Sequence, residues 1–238
     1  MIINEEFRRN PAQLSLDIQS LFLGTVVAAE LREPGDAALL LPAEAAFLGR
    51  SVPKRIQEFA AGRLCARRAL AEFGIENFAL LVSGDRQPVW PDFLVGSITH
   101  TSGFCAAVVG ERRHFMGLGL DCEVIGHVTP EIWSSIFGPA ETAWLESLPA
   151  PQRAVAATVI FSAKEAFYKS QFPVAAEWLD FSDLRIEPVN WGSPRGALVV
   201  HPARSIIVSA RARMPMLGQY RIAEKFVSVG VALTRVEP

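Results

Sequence analysis

The chain has 238 residues, half of them apolar and 20% charged, with a formal charge of -2. That is ordinary globular composition, long enough for one large domain or two lobes with separate cores, and too acidic overall for a general nucleic-acid binder. No apolar run approaches membrane-spanning length, and the opening stretch 1–9 carries acids where a signal peptide wants bases, so a cytoplasmic protein without a membrane span is expected.

In chain order, 21–29 reads as a buried strand, and Glu33-Pro34-Gly35-Asp36 as a turn. Leu41-Pro42-Ala43-Glu44 opens a short helix, with proline near the start where no helical N–H bond is needed. Ser51-Val52-Pro53 introduces a longer helix that ends at Gly74, a C-terminal cap. Phe59, Ala66, Leu70 and Phe73 recur along it at helical spacing, and Arg63 falls on the same stripe beside Gly62. An arginine there either snorkels outward or is held inside to meet an anion. Arg86-Gln87-Pro88-Val89-Trp90-Pro91 is a loop, and two strands at 94–100 and 104–110 follow, with His100 at the end of the first. A lone histidine is more often structural than functional.

A strand over 114–123 is expected to complete a three-stranded meander. Its end alternates Leu118, Leu120 and Cys122 with Gly117, Gly119, Asp121 and Glu123, so the two carboxylates share a face. The glycines before them let a ligand or another backbone come close. Adjacent carboxylates repel unless a cation intervenes, and an all-oxygen set suits Mg²⁺ with a phosphate; the plainer alternative is a strand end entering a solvated loop. Helices over 139–148 and 151–170 follow. The tail carries strand-like stretches at 184–187, 197–200, 219–223 and 226–233.

Cys65, Cys105 and Cys122 lack C-x-x-C spacing and lie in apolar stretches, which predicts reduced, buried thiols and no zinc site. Arginines gather at Arg8/Arg9, Arg67/Arg68 and Arg112/Arg113, enough to meet one anionic small molecule or an acidic protein.

Two segments recur about a hundred residues apart. Pro42-Ala43-Glu44 matches Pro139-Ala140-Glu141, and Phe59 to Arg67 lines up with Phe161 to Lys169, which pairs Arg63 with Glu165 and Arg67 with Lys169. The expected fold class is therefore α+β: two similar α/β lobes related by internal duplication, 1–115 and 116–238, each a small antiparallel sheet packed on a long helix, with the site at their junction. On the second long helix Ala156, Ile160, Ala163 and Phe167 form an apolar stripe, while Lys164, Glu165 and Lys169 concentrate charge at the end of a mostly uncharged segment. Glu165 and Lys169, at i and i+4, are either a surface ion pair or part of a site.

With these pieces placed, the chain resembles the two-lobed 4′-phosphopantetheinyl transferases, particularly the branch of enterobactin synthase component D. The residues that carry the resemblance run in family order over about 49–170: Gly62-Arg63 to Arg67 and Leu70, Gln87-Pro88 with Trp90-Pro91, Gly96 to His100, Gly119-Leu120-Asp121-Cys122-Glu123, and Phe161-Ser162-Ala163-Lys164-Glu165-Ala166-Phe167-Tyr168-Lys169. Leu120 stands where isoleucine is usual, and Thr99 where serine often precedes the histidine.

The resemblance implies transfer of the phosphopantetheine arm of coenzyme A to a serine of an apo acyl or peptidyl carrier protein, with release of 3′,5′-ADP by a monomeric enzyme. It implies Asp121, Glu123 and Glu165 as Mg²⁺ ligands against the pyrophosphate. Arg63, Arg67, Arg86, Thr99, His100, Lys164 and Lys169 are implied contacts to coenzyme A, Glu165 and Lys169 act at the reacting phosphate, and Glu141 stands at the position proposed to help deprotonate the serine. Siderophore or other nonribosomal peptide synthesis is the suggested pathway, with fatty acid and polyketide carriers open. Two rival readings keep the anion site: Mg²⁺-dependent hydrolysis of a nucleotide pyrophosphate, and a coenzyme A-binding or carrier-binding protein without turnover.

Overall fold

The computed structural model describes residues 16–235. Arg8 and Arg9 lie outside the described residues. Two antiparallel sheets divide the strands. The first has three, in the order β1-β3-β2, from β1 (Val26–Leu31), β2 (Leu94–Thr101) and β3 (Phe104–Glu111). The second has five, in the order β4-β8-β7-β6-β5, from β4 (Gly117–Val124), β5 (Leu184–Val189), β6 (Arg195–Pro202), β7 (Met216–Ala223) and β8 (Phe226–Leu233). A short helix α1 (Pro42–Ala45) and the long α2 (Pro53–Ala71) serve the first sheet; α3 (Trp133–Ile136), α4 (Pro139–Ser147) and the 26-residue α5 (Ala150–Ala175) serve the second.

Two strand expectations are corrected. Over 21–29 the strand begins only at Val26; Ile18–Leu21 is a 3-10 turn, and Gly24 with φ of 116° breaks the extended run. Leu21 and Phe22 are buried by packing into a core, which is why they look like strand residues. The 94–123 region is also not a meander. β1 takes the third place beside β3, while β4 leaves that sheet and pairs with β8 in register Asp121↔Val229.

β4 nevertheless lies alongside β2, with no ladder between them. Ser97 Oγ accepts the Leu120 N–H at 3.0 Å, and Thr99 Oγ1 accepts the Cys122 N–H at 2.9 Å. Alternate hydroxyls of one edge strand thus satisfy alternate amides of the other, as buried backbone donors require. Beneath this seam Leu118, Leu120 and Cys122 join Val95, Phe104 and Phe226 in one core shared by both sheets. Each fully buried leucine contributes about 1.5–3 kcal/mol by area removed from water, so the seam is held chiefly by this core.

The opposite face of β4 packs on α5. A Cβ at Gly117 would strike the Ser170 carbonyl, and one at Gly119 the Ala166 carbonyl. The glycine-spaced run therefore admits a helix backbone. Four residues of helix rise about 6 Å and two of strand about 6.6–6.8 Å, so the pairs Gly117–Ser170 and Gly119–Ala166 repeat in step as the elements run antiparallel. Helical side chains lean toward the helix N-terminus, which aims Lys169 at Asp121.

Candidate active site

Asp121 is 3% exposed on β4. Lys169 Nζ donates to its Oδ1 at 2.7 Å and to the Leu120 carbonyl at 3.2 Å. The other oxygen, Oδ2, is buried with no hydrogen-bond partner. Two residues on, Glu123 Oε2 accepts from Thr101 Oγ1 at 3.3 Å. Burial first, and then the Asp121 charge, push Glu123 up to about 7, with Glu165 adding to the rise. Glu165 is itself raised by burial and by Asp121, against the pull of Lys169. For Lys169 desolvation works downward, but Asp121, Glu165 and Glu123 together hold its pKa above the usual lysine value. Only Asp121 touches the Lys169 ammonium, but Glu165 and Glu123 act on it as well, so the set is short of positive charge.

A cavity of about 550 Å³ opens beside this cluster, walled by Arg63, Arg86, Trp90, His100, Tyr168 and Lys169. Arg63 does not snorkel. It is 6% exposed, its Nε donates to the Leu80 carbonyl at 2.9 Å, and its guanidinium lies 3.9 Å from the Phe59 ring centroid. Burial pulls it down to about 10, so it stays charged at neutral pH, with both Nη groups left for the cavity it lines. Arg86 holds a left-handed φ of 63° in the turn after Ser83, a conformation that costs an L-residue about 1–2 kcal/mol. Arg55 Nη1 lies 3.4 Å from His100 Nε2; arginine has only donors, so a hydrogen bond between them uses that nitrogen as the acceptor. Although His100 is open to solvent, desolvation by the cavity walls is the main cause lowering its pKa, joined by Lys169 and Arg55 and opposed by Glu58.

The remaining sequence candidates stand elsewhere. Arg67 is bound to Glu44 and the Leu39 carbonyl and is not part of the cavity wall. Thr99 is 2% exposed, its hydroxyl taken up at the β2–β4 seam. Lys164 is 1% exposed, with all three donors used: the Ile136 carbonyl at 2.7 Å, Glu141 Oε2 at 2.8 Å and the Phe181 carbonyl at 2.9 Å. Glu141 in turn accepts from Gly138 N at 2.9 Å and Ile186 N at 2.8 Å. A lysine with no free donor and a carboxylate caged by three donors hold the loops after α3 and α5 against α4 and β5. Glu44 plays the same part in the first half, accepting from Leu41 N and Leu80 N at 3.0 Å each. Arg67 and Lys164 thus each pair with a glutamate that also accepts backbone amides.

Two features went unnoticed in the sequence. Arg55 precedes Phe59 and Arg63 at i+4 and i+8, a spacing that marks it on the same helix stripe. Tyr168 stacks on Phe172 at 5.2 Å, and Trp178 meets Tyr168 edge-on at 5.6 Å, so an aromatic wall separates the first cavity from a second of about 360 Å³ that Glu165 lines. Trp178 lies in a loop without periodicity and gives no such signal.

Residues 43–110 match the 4′-phosphopantetheinyl transferase N-terminal domain, and residues 117–223 the 4′-phosphopantetheinyl transferase superfamily. The chain belongs to this superfamily and is a 4′-phosphopantetheinyl transferase. It is 35% identical over 199 residues to the 4′-phosphopantetheinyl transferase Svp of Streptomyces mobaraensis, covering 82% of this chain and 79% of that protein. To the 4′-phosphopantetheinyl transferase PptT of Mycobacterium tuberculosis it is 38% identical over 162 residues, 66% of this chain and 69% of that one. The enterobactin synthase component D of Salmonella typhi is 42% identical over 122 residues, 49% of this chain and 48% of that protein.

Proposed function

We propose that the enzyme moves phosphopantetheine from coenzyme A to a serine hydroxyl of an apo acyl or peptidyl carrier protein, that the reaction depends on Mg²⁺, and that it takes place at the β2–β4 seam. The observation that carries this reading is the under-neutralised carboxylate set with its orphaned Asp121 Oδ2, directly beside a cavity walled by three arginines and a histidine.

Among the described residues no three His, Cys, Asp or Glu side chains are already gathered closely enough to hold a metal ion. The donor chemistry still fits one: three carboxylates, one with a buried free oxygen, suit a hard divalent cation, and Lys169 occupies the place where positive charge is needed. Asp121, Glu123 and Glu165 are the residues that would hold it. When bound, Mg²⁺ supplies charge neutralisation to the diphosphate under attack.

This chain's own residues do the rest. Arg63 and Arg86 present guanidiniums to the phosphorylated nucleotide, which fixed forks suit better than lysines. Neutral His100 donates from Nδ1 to a phosphate oxygen while Nε2 faces Arg55. Lys169, with two of its three hydrogens placed on Asp121 and Leu120, keeps one for the reacting phosphate. In this reading Glu165, its pKa raised by burial, takes the serine proton as the serine oxygen bonds to phosphorus and the bond to the 3′,5′-ADP oxygen breaks.

A two-lobed duplication divided near 115/116 is part of this proposal. Its support is that β1-β3-β2 with α2 and β4-β8-β7 with α5 have the same strand order and helix placement, and that Glu44 and Glu141 are caged alike. Two internal lobes that build the cavity make a monomer sufficient. No helix among the described residues is long and apolar enough to cross a membrane, and the three buried free thiols suit a reducing compartment such as the cytoplasm.

The test is to mix the protein with coenzyme A, Mg²⁺ and an apo carrier and weigh the carrier. A gain of one phosphopantetheine is expected, abolished by chelation. Release of 3′,5′-ADP without a carrier would replace transfer by hydrolysis, and an unmodified carrier would leave only binding.

A further inference from the structure

The aromatic wall between the two cavities depends on a residue distant from all the chemistry. Trp178 is 75% exposed, yet its indole lines both cavities and meets Tyr168 edge-on. It rides on the segment 176–183 between α5 and β5, which leaves the helix through Ala176 at a left-handed φ of 50°. A tryptophan so exposed is not held in place by burial of its ring. Its position must come from its backbone.

That backbone is clamped from outside by Arg204, in the loop after β6. Arg204 Nη1 donates to Glu177 Oε1 at 2.6 Å, Nε to Asp183 Oδ1 at 2.8 Å and Nη2 to Asp183 Oδ2 at 3.2 Å. Between these two ends of the segment, Nη2 also reaches the Trp178 carbonyl at 3.4 Å. Glu177 is fixed in turn by the Ile207 amide at 2.7 Å, and its carbonyl by Gln171 Nε2 at 2.7 Å. Hydrogen bonds from Arg204 hold both Glu177 and Asp183 below the usual carboxylate range, with the Ile207 amide the larger cause at Glu177. A lone exposed ion pair contributes little. Here one planar fork ties residues 177, 178 and 183 together, a geometry a lysine cannot reproduce.

We propose that Arg204 is a positioning residue for coenzyme A: it fixes the 176–183 segment so that Trp178 stands against Tyr168 as a preformed wall, and it does so without touching substrate. This rests on the reading of the adjoining cavity as the coenzyme A site. The cost of ordering the wall falls on binding when the clamp is absent, so Arg204→Ala raises KM for coenzyme A roughly three- to tenfold, with kcat and Tm near those of the parent. Arg204→Lys, which keeps the charge and loses the fork, behaves like the alanine variant. Trp178→Ala raises KM as well, and the double variant is no worse than Trp178→Ala alone, because both changes remove one wall.

The experiment measures coenzyme A binding by calorimetry, transfer kinetics, and hydrogen exchange of the 176–183 amides, on the full-length protein and these variants. Faster exchange in that segment with the KM rise supports the proposal. Unchanged KM and unchanged exchange in Arg204→Ala overturn it, as do additive effects in the double variant, full rescue by Arg204→Lys, or a parallel fall of kcat and Tm. Failure of the parent protein to bind coenzyme A would instead overturn the reading of the cavity, whereas the exchange of the 176–183 amides still reports on the clamp.

Discussion

Glu141 stands at a position expected to deprotonate the serine, and the structure gives it a different task that a single substitution can separate. Changing Glu141 to Ala removes the partner of a 1%-exposed Lys164 and strands the Ile186 amide and the Gly138 amide. Breaking a buried pair by deleting one member costs about 3–5 kcal/mol, and for a chain of this size about 1 kcal/mol moves Tm by roughly 2–4 °C. Thermal unfolding should therefore drop by roughly 6–20 °C, while transfer measured well below the new midpoint keeps most of its rate. Adding Lys164→Met to Glu141→Leu should recover only the part due to the unpaired ammonium, since the Gly138 and Ile186 amides still lack an acceptor. An alanine variant that unfolds like the parent but transfers a hundredfold more slowly would refute this reasoning and return Glu141 to the chemistry.

Asp121→Asn should abolish transfer and let Glu123 titrate below about 7, because a neighbouring charge is removed; NMR titration of labelled glutamate reads the shift. In metal-free protein Glu123 has a folded pKa of about 7 against an ordinary 4.5, so its favourable contribution is complete below pH 4.5 and is lost as pH rises through 7. Denaturant midpoints should fall over that interval, and added Mg²⁺ should reverse the fall at the upper end. Gly119→Ala should destabilise by at least the 1–3 kcal/mol typical of overpacking, seen as a lower Tm, since the new methyl meets the Ala166 carbonyl. An unchanged Tm would mean that α5 and β4 are not in contact there.

The helices, the tail strands and the D-x-E face were legible because periodicity reports burial, and burial is what those elements share. The membership of β4 was not. Gly117 to Glu123 alternates equally well beside β3 or beside β8, and only the pairing with 226–233, a hundred residues away, decides it. For the site, Arg63 on an apolar stripe was readable as an anomaly with two meanings, which the Leu80 carbonyl and the Phe59 ring resolve. Arg67, Thr99, Lys164 and Glu141 have the right residue types at the right spacing but are engaged by backbone groups or by ion pairs, and such engagement leaves no mark on spacing. Arg55 was readable from its i+8 relation to Arg63, whereas the Trp178 wall depends on a loop whose partners are scattered over 171, 204 and 207.

The two edge strands that meet at Ser97 and Thr99 can mesh in one way only, because the hydroxyls sit at alternate positions and find alternate amides. Sliding one strand by its next allowed notch, roughly 7 Å, would carry the acidic end of β4 past the cationic wall of the neighbouring cavity. Side chains as small as serine and threonine thus act as the teeth of a gauge, and the offset between the acidic strand end and the cationic wall is measured by them.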